Sequence, residues 1–172
     1  MKSIILDNNK GLTGPLPSLS GFTKLEILSL ENTQLEGSIP NEWGELIQLE
    51  DLDLSGMFGI NGVLPLSFRL LTNLKYLDLY QTSITGTIPD IFGDLVSLEY
   101  LTAIFTEISG TIPTTVGFLT NLGKRLKPNC KTQLFMKANT FLLQFHSAWT
   151  SLTSVVLFRR NWQTALDWRC SH

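Results

Sequence analysis

Three observations predict that this chain is an α/β repeat solenoid. Leu25, Leu49, Leu74, Leu98 and Leu122 recur at intervals of 24, 25, 24 and 24 residues. Each interval carries the same internal order: a Leu-x-Leu pair, a Leu/Ile-x-Gly-x-Ile/Leu-Pro stretch, then a bulky apolar residue three positions after the proline. Apolar residues make up 43% of the 172 residues and charged residues 16%, which provides for a core and excludes wholesale disorder. A period of this length marks a stack of identical supersecondary units.

The Leu-x-Leu pairs open each unit. Leu28 and Leu30, Leu52 and Leu54, Leu77 and Leu79, and Leu101 and Ala103 enclose a polar residue, and Ile4 and Leu6 hold the same positions around Ile5. That is the two-residue period of a strand buried on one face. A second extended segment follows at Leu12-x-Gly14-x-Leu16-Pro17, Leu35-x-Gly37-x-Ile39-Pro40, Ile60-x-Gly62-x-Leu64-Pro65, Ile84-x-Gly86-x-Ile88-Pro89 and Ile108-x-Gly110-x-Ile112-Pro113. Its glycine permits a backbone state or close approach that a Cβ obstructs, and proline then ends the pairing. Trp43, Phe68, Phe92 and Val116 come next, with Leu46, Leu71, Leu95 and Leu119 three residues later. That step is one helical turn laid on the core. Copies one and three each hold an extra residue, in Asn9-Lys10-Gly11-Leu12 and Met57-Phe58-Gly59-Ile60, read as tolerated bulges. One unit cannot bury both of its flanks, so the units must stack.

The pattern resembles the plant-type leucine-rich repeat, Leu-x-x-Leu-x-Leu-x-x-Asn-x-Leu-x-Gly-x-Ile-Pro-x-x-Leu-Gly-x-Leu, over residues 1–122. The resemblance implies a right-handed superhelix of about five coils with parallel strands on its concave face. It also implies recognition of a protein or peptide, as in receptor-kinase and receptor-like ectodomains and polygalacturonase inhibitors of signalling and defence. In that family the asparagine ties neighbouring coils together. Here only Asn9 matches, while Thr33, Met57, Thr82 and Thr106 take the other positions. Threonine donates one hydrogen bond where asparagine has two donors and an acceptor, so a thinner ladder is expected. The paired-cysteine cap of extracellular members is missing and the chain opens inside a repeat. The expectation is a truncated product, the alternative to a recognition module being a paralogue or scaffold fragment without a ligand.

Positions flanking the buried leucines are expected to face a partner. In copies three to five they include Asp51 and Asp53, then Tyr76, Asp78 and Tyr80, then Tyr100, Thr102, Ile104 and Phe105. Asp53 and Asp78 share a column, about 4.8 Å apart across one strand spacing. Such a pair is unfavourable unless water, salt or a partner offsets it. Tyr76, Tyr80, Tyr100, Ile104 and Phe105 are expected to form an exposed aromatic-apolar cluster beside it. The candidate ligand-binding residues are therefore Asp51, Asp53, Tyr76, Asp78, Tyr80, Tyr100, Thr102 and Phe105, with a positively charged peptide or protein as partner. The spacing of a calcium loop is missing from the three aspartates, and no metal or cofactor is assigned.

The character of the chain changes after Leu122. Residues 1–122 carry 5 Lys+Arg against 14 Asp+Glu, a balance of −9, whereas residues 123–172 carry 8 against 1, a balance of +7. The repeat stops there, with Arg125 and Lys127 where leucines are due. Residues 123–172 are read as a separate non-repeat segment: a capping helix starting at Asn139, or an out-of-frame tail. Residues 141–158 are uncharged and precede Arg159-Arg160, but Gln144, His146 and several hydroxyl residues dilute them, so no membrane insertion is expected. Cys130 and Cys170 are compatible with pairing or with free thiols. No phosphate-binding, zinc-protease, nucleophile-elbow or nucleic-acid motif occurs, so neither catalysis nor nucleic-acid binding is expected. The resemblance points to the cell exterior or plasma membrane, while no signal-peptide-like run or Asn-x-Ser/Thr acceptor occurs in the sequence. Localisation is left unassigned.

Overall fold

The computed structural model describes residues 1–122 and Leu134–Met136. Each Leu-x-Leu pair lies on or next to a short strand: β1 (Ser3–Ile5), β3 (Ile27–Ser29), β5 (Asp51–Asp53), β7 (Tyr76–Asp78) and β8 (Tyr100–Ala103). These run parallel in the order β1-β3-β5-β7-β8, and each pairs with the equivalent residue of the next coil, Leu28 with Leu52 and Leu52 with Leu77. Leu28, Leu30, Leu52, Leu54, Leu77, Leu79 and Leu101 are all buried. The alternation read from sequence therefore sets which side of the sheet is dry.

The second extended segments form a separate parallel sheet of β2 (Thr13–Pro15), β4 (Gln34–Ser38) and β6 (Ile60–Asn61), continued by a bridge between Thr87 and Ser109. Its register is staggered: Gly14 pairs with Leu35, Gly37 with Ile60 and Thr87 with Ser109. Each residue thus meets the one two positions before its own repeat equivalent. An even stagger keeps every side chain on its face, which is why the apolar pattern gives no sign of it. The glycine of each segment has φ between 78° and 100°, a left-handed state in which a Cβ is strained.

Proline then starts a single 3₁₀ turn on the opposite side: Asn41–Glu45, Leu66–Leu70, Asp90–Asp94 and Thr114–Phe118. The expected helical turn is present in its tighter form. Each turn drives Trp43, Phe68, Phe92 or Val116 into the core. The Trp43 indole N–H is satisfied by the Pro17 carbonyl of the preceding coil at 3.0 Å. The extra residues of copies one and three are absorbed by tight turns closed by Leu12 N–H to the Asn9 carbonyl (3.0 Å) and Ile60 N–H to the Met57 carbonyl (3.1 Å). Gly59 is required there, since a Cβ would stand 2.9 Å from Glu36 Cβ and 3.0 Å from the Leu35 carbonyl oxygen.

The asparagine column is thin, as expected. Asn9 donates to the Leu6 carbonyl, and the Thr82 and Thr106 hydroxyls donate to the carbonyls of Leu79 and Ala103. Met57 is a fully buried hydrophobe, and the buried Thr33 hydroxyl has no partner among the described residues. Beyond Leu122 the concave sheet gains a further parallel strand, β9 (Leu134–Met136), in which Leu134 pairs with Leu101. The backbone pairing thus reaches into the segment that sequence period places outside the repeat. The helix expected from Asn139, the apolar stretch 141–158 and both Cys130 and Cys170 lie outside the described residues.

Candidate ligand-binding face

In-register parallel pairing turns the outward residues of β5, β7 and β8 into two columns. Asp51, Tyr76 and Tyr100 form one; Asp53, Asp78 and Thr102 form the other. Side chains of one column lie a strand spacing apart, about 4.8 Å, close enough for flat rings to stack. Tyr76 and Tyr100 do so, with ring centroids 4.5 Å apart and planes 8° from parallel. Both are buried, at 9% and 7% exposure. The exposed aromatic cluster expected from sequence is therefore corrected: these two tyrosines are packed structure, because one strand spacing lets each ring cover a face of the other. Half-buried Tyr80 and exposed Phe105 (51%) remain at the rim, meeting edge to face at 5.6 Å and 75°.

The aspartate column also differs from expectation. Asp53 and Asp78 are register partners, as the period requires. Asp53 Oδ1 accepts from the Ser55 N–H (2.9 Å) and hydroxyl (2.6 Å). Asp78 Oδ1 accepts from the Tyr80 N–H (2.9 Å), and its Oδ2 accepts from the Tyr76 hydroxyl (2.8 Å). Donors within the fold thus offset part of the repulsion that was to have called for a partner. Asp78 is 3% exposed and Thr102 2% exposed, while Asp53 and Asp51 are half-buried. Asp53 is the carboxylate of this column still open to solvent. Burial first, and then the charge of Asp78, hold the Tyr76 phenol well above the ordinary tyrosine range. It stays a hydrogen-bond donor at any physiological pH.

Charge continues along the strand entrances. Lys75 Nζ meets Glu50 Oε2 at 2.7 Å and Lys2 Nζ meets Glu26 Oε1 at 2.6 Å, linking successive coils at the surface. The hydrogen bond that Lys75 donates to Glu50 is the main reason its ammonium sits above its usual range. On the convex side Arg69 reaches Asp94 at 3.4 Å. Among the described residues no group of three or more His, Cys, Asp or Glu is arranged to hold a metal ion, and no helix is long and apolar enough to cross a membrane.

One feature of the rim was missed from sequence. The residue closing each concave strand adopts left-handed backbone: Asn8 (φ 60°), Asn32 (54°), Gly56 (71°), Gln81 (54°) and Phe105 (57°). Asparagine and glycine tolerate this state. Their recurrence at one repeat position in copies one to three was the available signal.

The Leucine Rich Repeat family model matches residues 24–46 and 73–95. A curated relative, receptor-like protein EIX2 of Solanum lycopersicum, is 42% identical over 60 residues, covering 35% of this chain and 6% of its own length. Among solved structures, a plant peptide hormone receptor, RGFR1 in complex with RGF2, is similar at 32% identity and a TM-score of 0.67, over 70% of this chain and 19% of its own. A plant ice-binding protein is similar at 34% identity and a TM-score of 0.62, over 67% of this chain and 37% of its own. The chain thus spans a small part of the length of these two receptors. The repeat period, the parallel concave ladder and these similarities agree: the chain carries leucine-rich repeats, and its coil is similar to that of plant leucine-rich-repeat proteins.

Proposed function

We propose that residues 1–122 act as a non-catalytic recognition module whose concave sheet binds a peptide or protein partner, centred on coils three to five. One observation carries this reading: the repeat register gathers half-buried Asp51 and Asp53 beside Tyr80 and Phe105 on one face, with buried Asp78 beneath them as an internal acceptor. Stacked Tyr76 and Tyr100, together with Thr102, form the floor of that face. The similarity to a peptide hormone receptor supports the reading. The same coil also builds an ice-binding protein, so the fold alone does not assign function and the face must do so. The surplus of carboxylates favours a partner carrying positive charge.

The test is panning of the immobilised full chain against random peptides, followed by rebinding of the enriched peptides. Asp53→Asn is expected to slow association and flatten its salt dependence, since charge acts mainly on encounter. Convex-side Glu45→Gln and Asp94→Asn are expected to leave binding unchanged. Binding lost through the convex changes and kept in Asp53→Asn would place the site on the wrong face.

A further inference from the structure

Phe105 is the bulkiest member of the left-handed column, and the fold gives it little in return. Its φ of 57° is a state in which the Cβ of a large side chain crowds its own backbone. The equivalent positions are occupied by Asn8, Asn32, Gly56 and Gln81, smaller or unbranched residues better suited to it. Phe105 remains 51% exposed, its ring meeting that of Tyr80 edge to face at 5.6 Å. Such a backbone persists only where the surrounding structure fixes it, as the coil does at this position in every copy. Here it delivers an aromatic ring to solvent at the rim of the concave face, and strain of that kind collects at functional sites.

We infer that Phe105 and Tyr80 form the anchoring surface for an apolar side chain of an extended peptide bearing a basic residue two or three positions away. The inference rests on the reading of the concave face given above and deepens it. The spacing follows from the sheet. Asp53 and Tyr80 lie one strand apart and two residues apart along the strand, so their attachment points are separated by roughly 8 Å. An extended peptide advances about 3.3 Å per residue, which two or three steps match. Half-buried Asp53 supplies the charge that complements the basic residue. The Tyr80 backbone is held by its N–H donating to Asp78 Oδ1 at 2.9 Å and its ring packs edge to face with Phe105, which preorganises the anchor.

The experiment uses the full chain, its Phe105→Asn and Tyr80→Ala variants, and a library of random 12-residue peptides. Wild type is expected to enrich peptides pairing a Lys or Arg with an aromatic or branched aliphatic residue two or three positions away. Phe105→Asn suits left-handed backbone, so it is expected to melt at a higher temperature than wild type. It is also expected to bind the enriched peptides at least tenfold more weakly, and its own selection is expected to keep the basic residue and lose the apolar one. Tyr80→Ala is expected to weaken the same peptides without the gain in melting temperature. Unchanged affinity and motif in Phe105→Asn would overturn the anchor, while loss of all enrichment by wild type would overturn the peptide-binding reading beneath it. A concentration-dependent dimer abolished by Phe105→Asn would assign the surface to a second copy of this chain and equally refute the proposal.

Discussion

Replacing threonine by valine at equivalent positions of the asparagine column is expected to change stability in opposite directions. In copies four and five, the Thr82 hydroxyl donates to the Leu79 carbonyl at 2.9 Å and the Thr106 hydroxyl to the Ala103 carbonyl at 2.8 Å. In copy two, the Thr33 backbone N–H itself takes the Leu30 carbonyl at 3.2 Å, and the hydroxyl is buried without a partner among the described residues. All three residues are at most 5% exposed. Valine has nearly the same shape, so the change isolates the hydroxyl. Removing an unsatisfied buried hydroxyl relieves a penalty of about 1–3 kcal/mol, part of which the fold has already relaxed. Thr33→Val is therefore expected to stabilise by about 1 kcal/mol. Thr82→Val and Thr106→Val lose a formed bond and are each expected to cost about 1–2 kcal/mol. Urea unfolding at a constant m-value reads this as midpoints moving apart. Melting temperatures are expected to move by about 2–4 °C per kcal/mol. If Thr33→Val destabilises as much as Thr82→Val, the Thr33 hydroxyl has a partner and the account of this ladder is wrong.

Leu77→Ala removes a fully buried side chain between neighbouring coils and is expected to cost about 2–5 kcal/mol in the same assay. Gly44→Ala places a Cβ 2.6 Å from the Ser67 carbonyl oxygen and 2.4 Å from Ser67 Cβ, so it is expected to lower the melting temperature although its backbone φ is ordinary. The raised pKa of Tyr76 makes the folded state hold a proton that the unfolded state releases above about pH 10. Its contribution is therefore complete below that pH and falls as pH rises further; Tyr76→Phe is expected to show a smaller loss of stability between pH 8 and pH 11. Deleting residues 124–172 removes β9 from the edge of β8 and is expected to lower the melting temperature by scanning calorimetry.

The sequence by itself determined the fold class, the phase of every coil and the identity of the core, because these depend on period alone. A two-residue alternation decides which side of a strand is dry, and a 24-residue recurrence decides that the coils stack with equivalent residues in contact. Asp53 beside Asp78 and Tyr76 beside Tyr100 follow from the same arithmetic. What those neighbours do to one another depends on distances that period does not carry. A 4.5 Å stack buries two tyrosines expected to be exposed, and a 2.8 Å hydrogen bond from Tyr76 turns Asp78 from a ligand-seeking charge into an internal acceptor. The two-residue stagger of the second sheet was invisible because an even shift leaves each face unchanged. Strand β9 was invisible because it adds backbone hydrogen bonds, which any sequence can make, without the leucine spacing. The left-handed backbone under Phe105 arises where each concave strand turns towards the next segment, and only the tertiary structure shows an exposed phenylalanine held there.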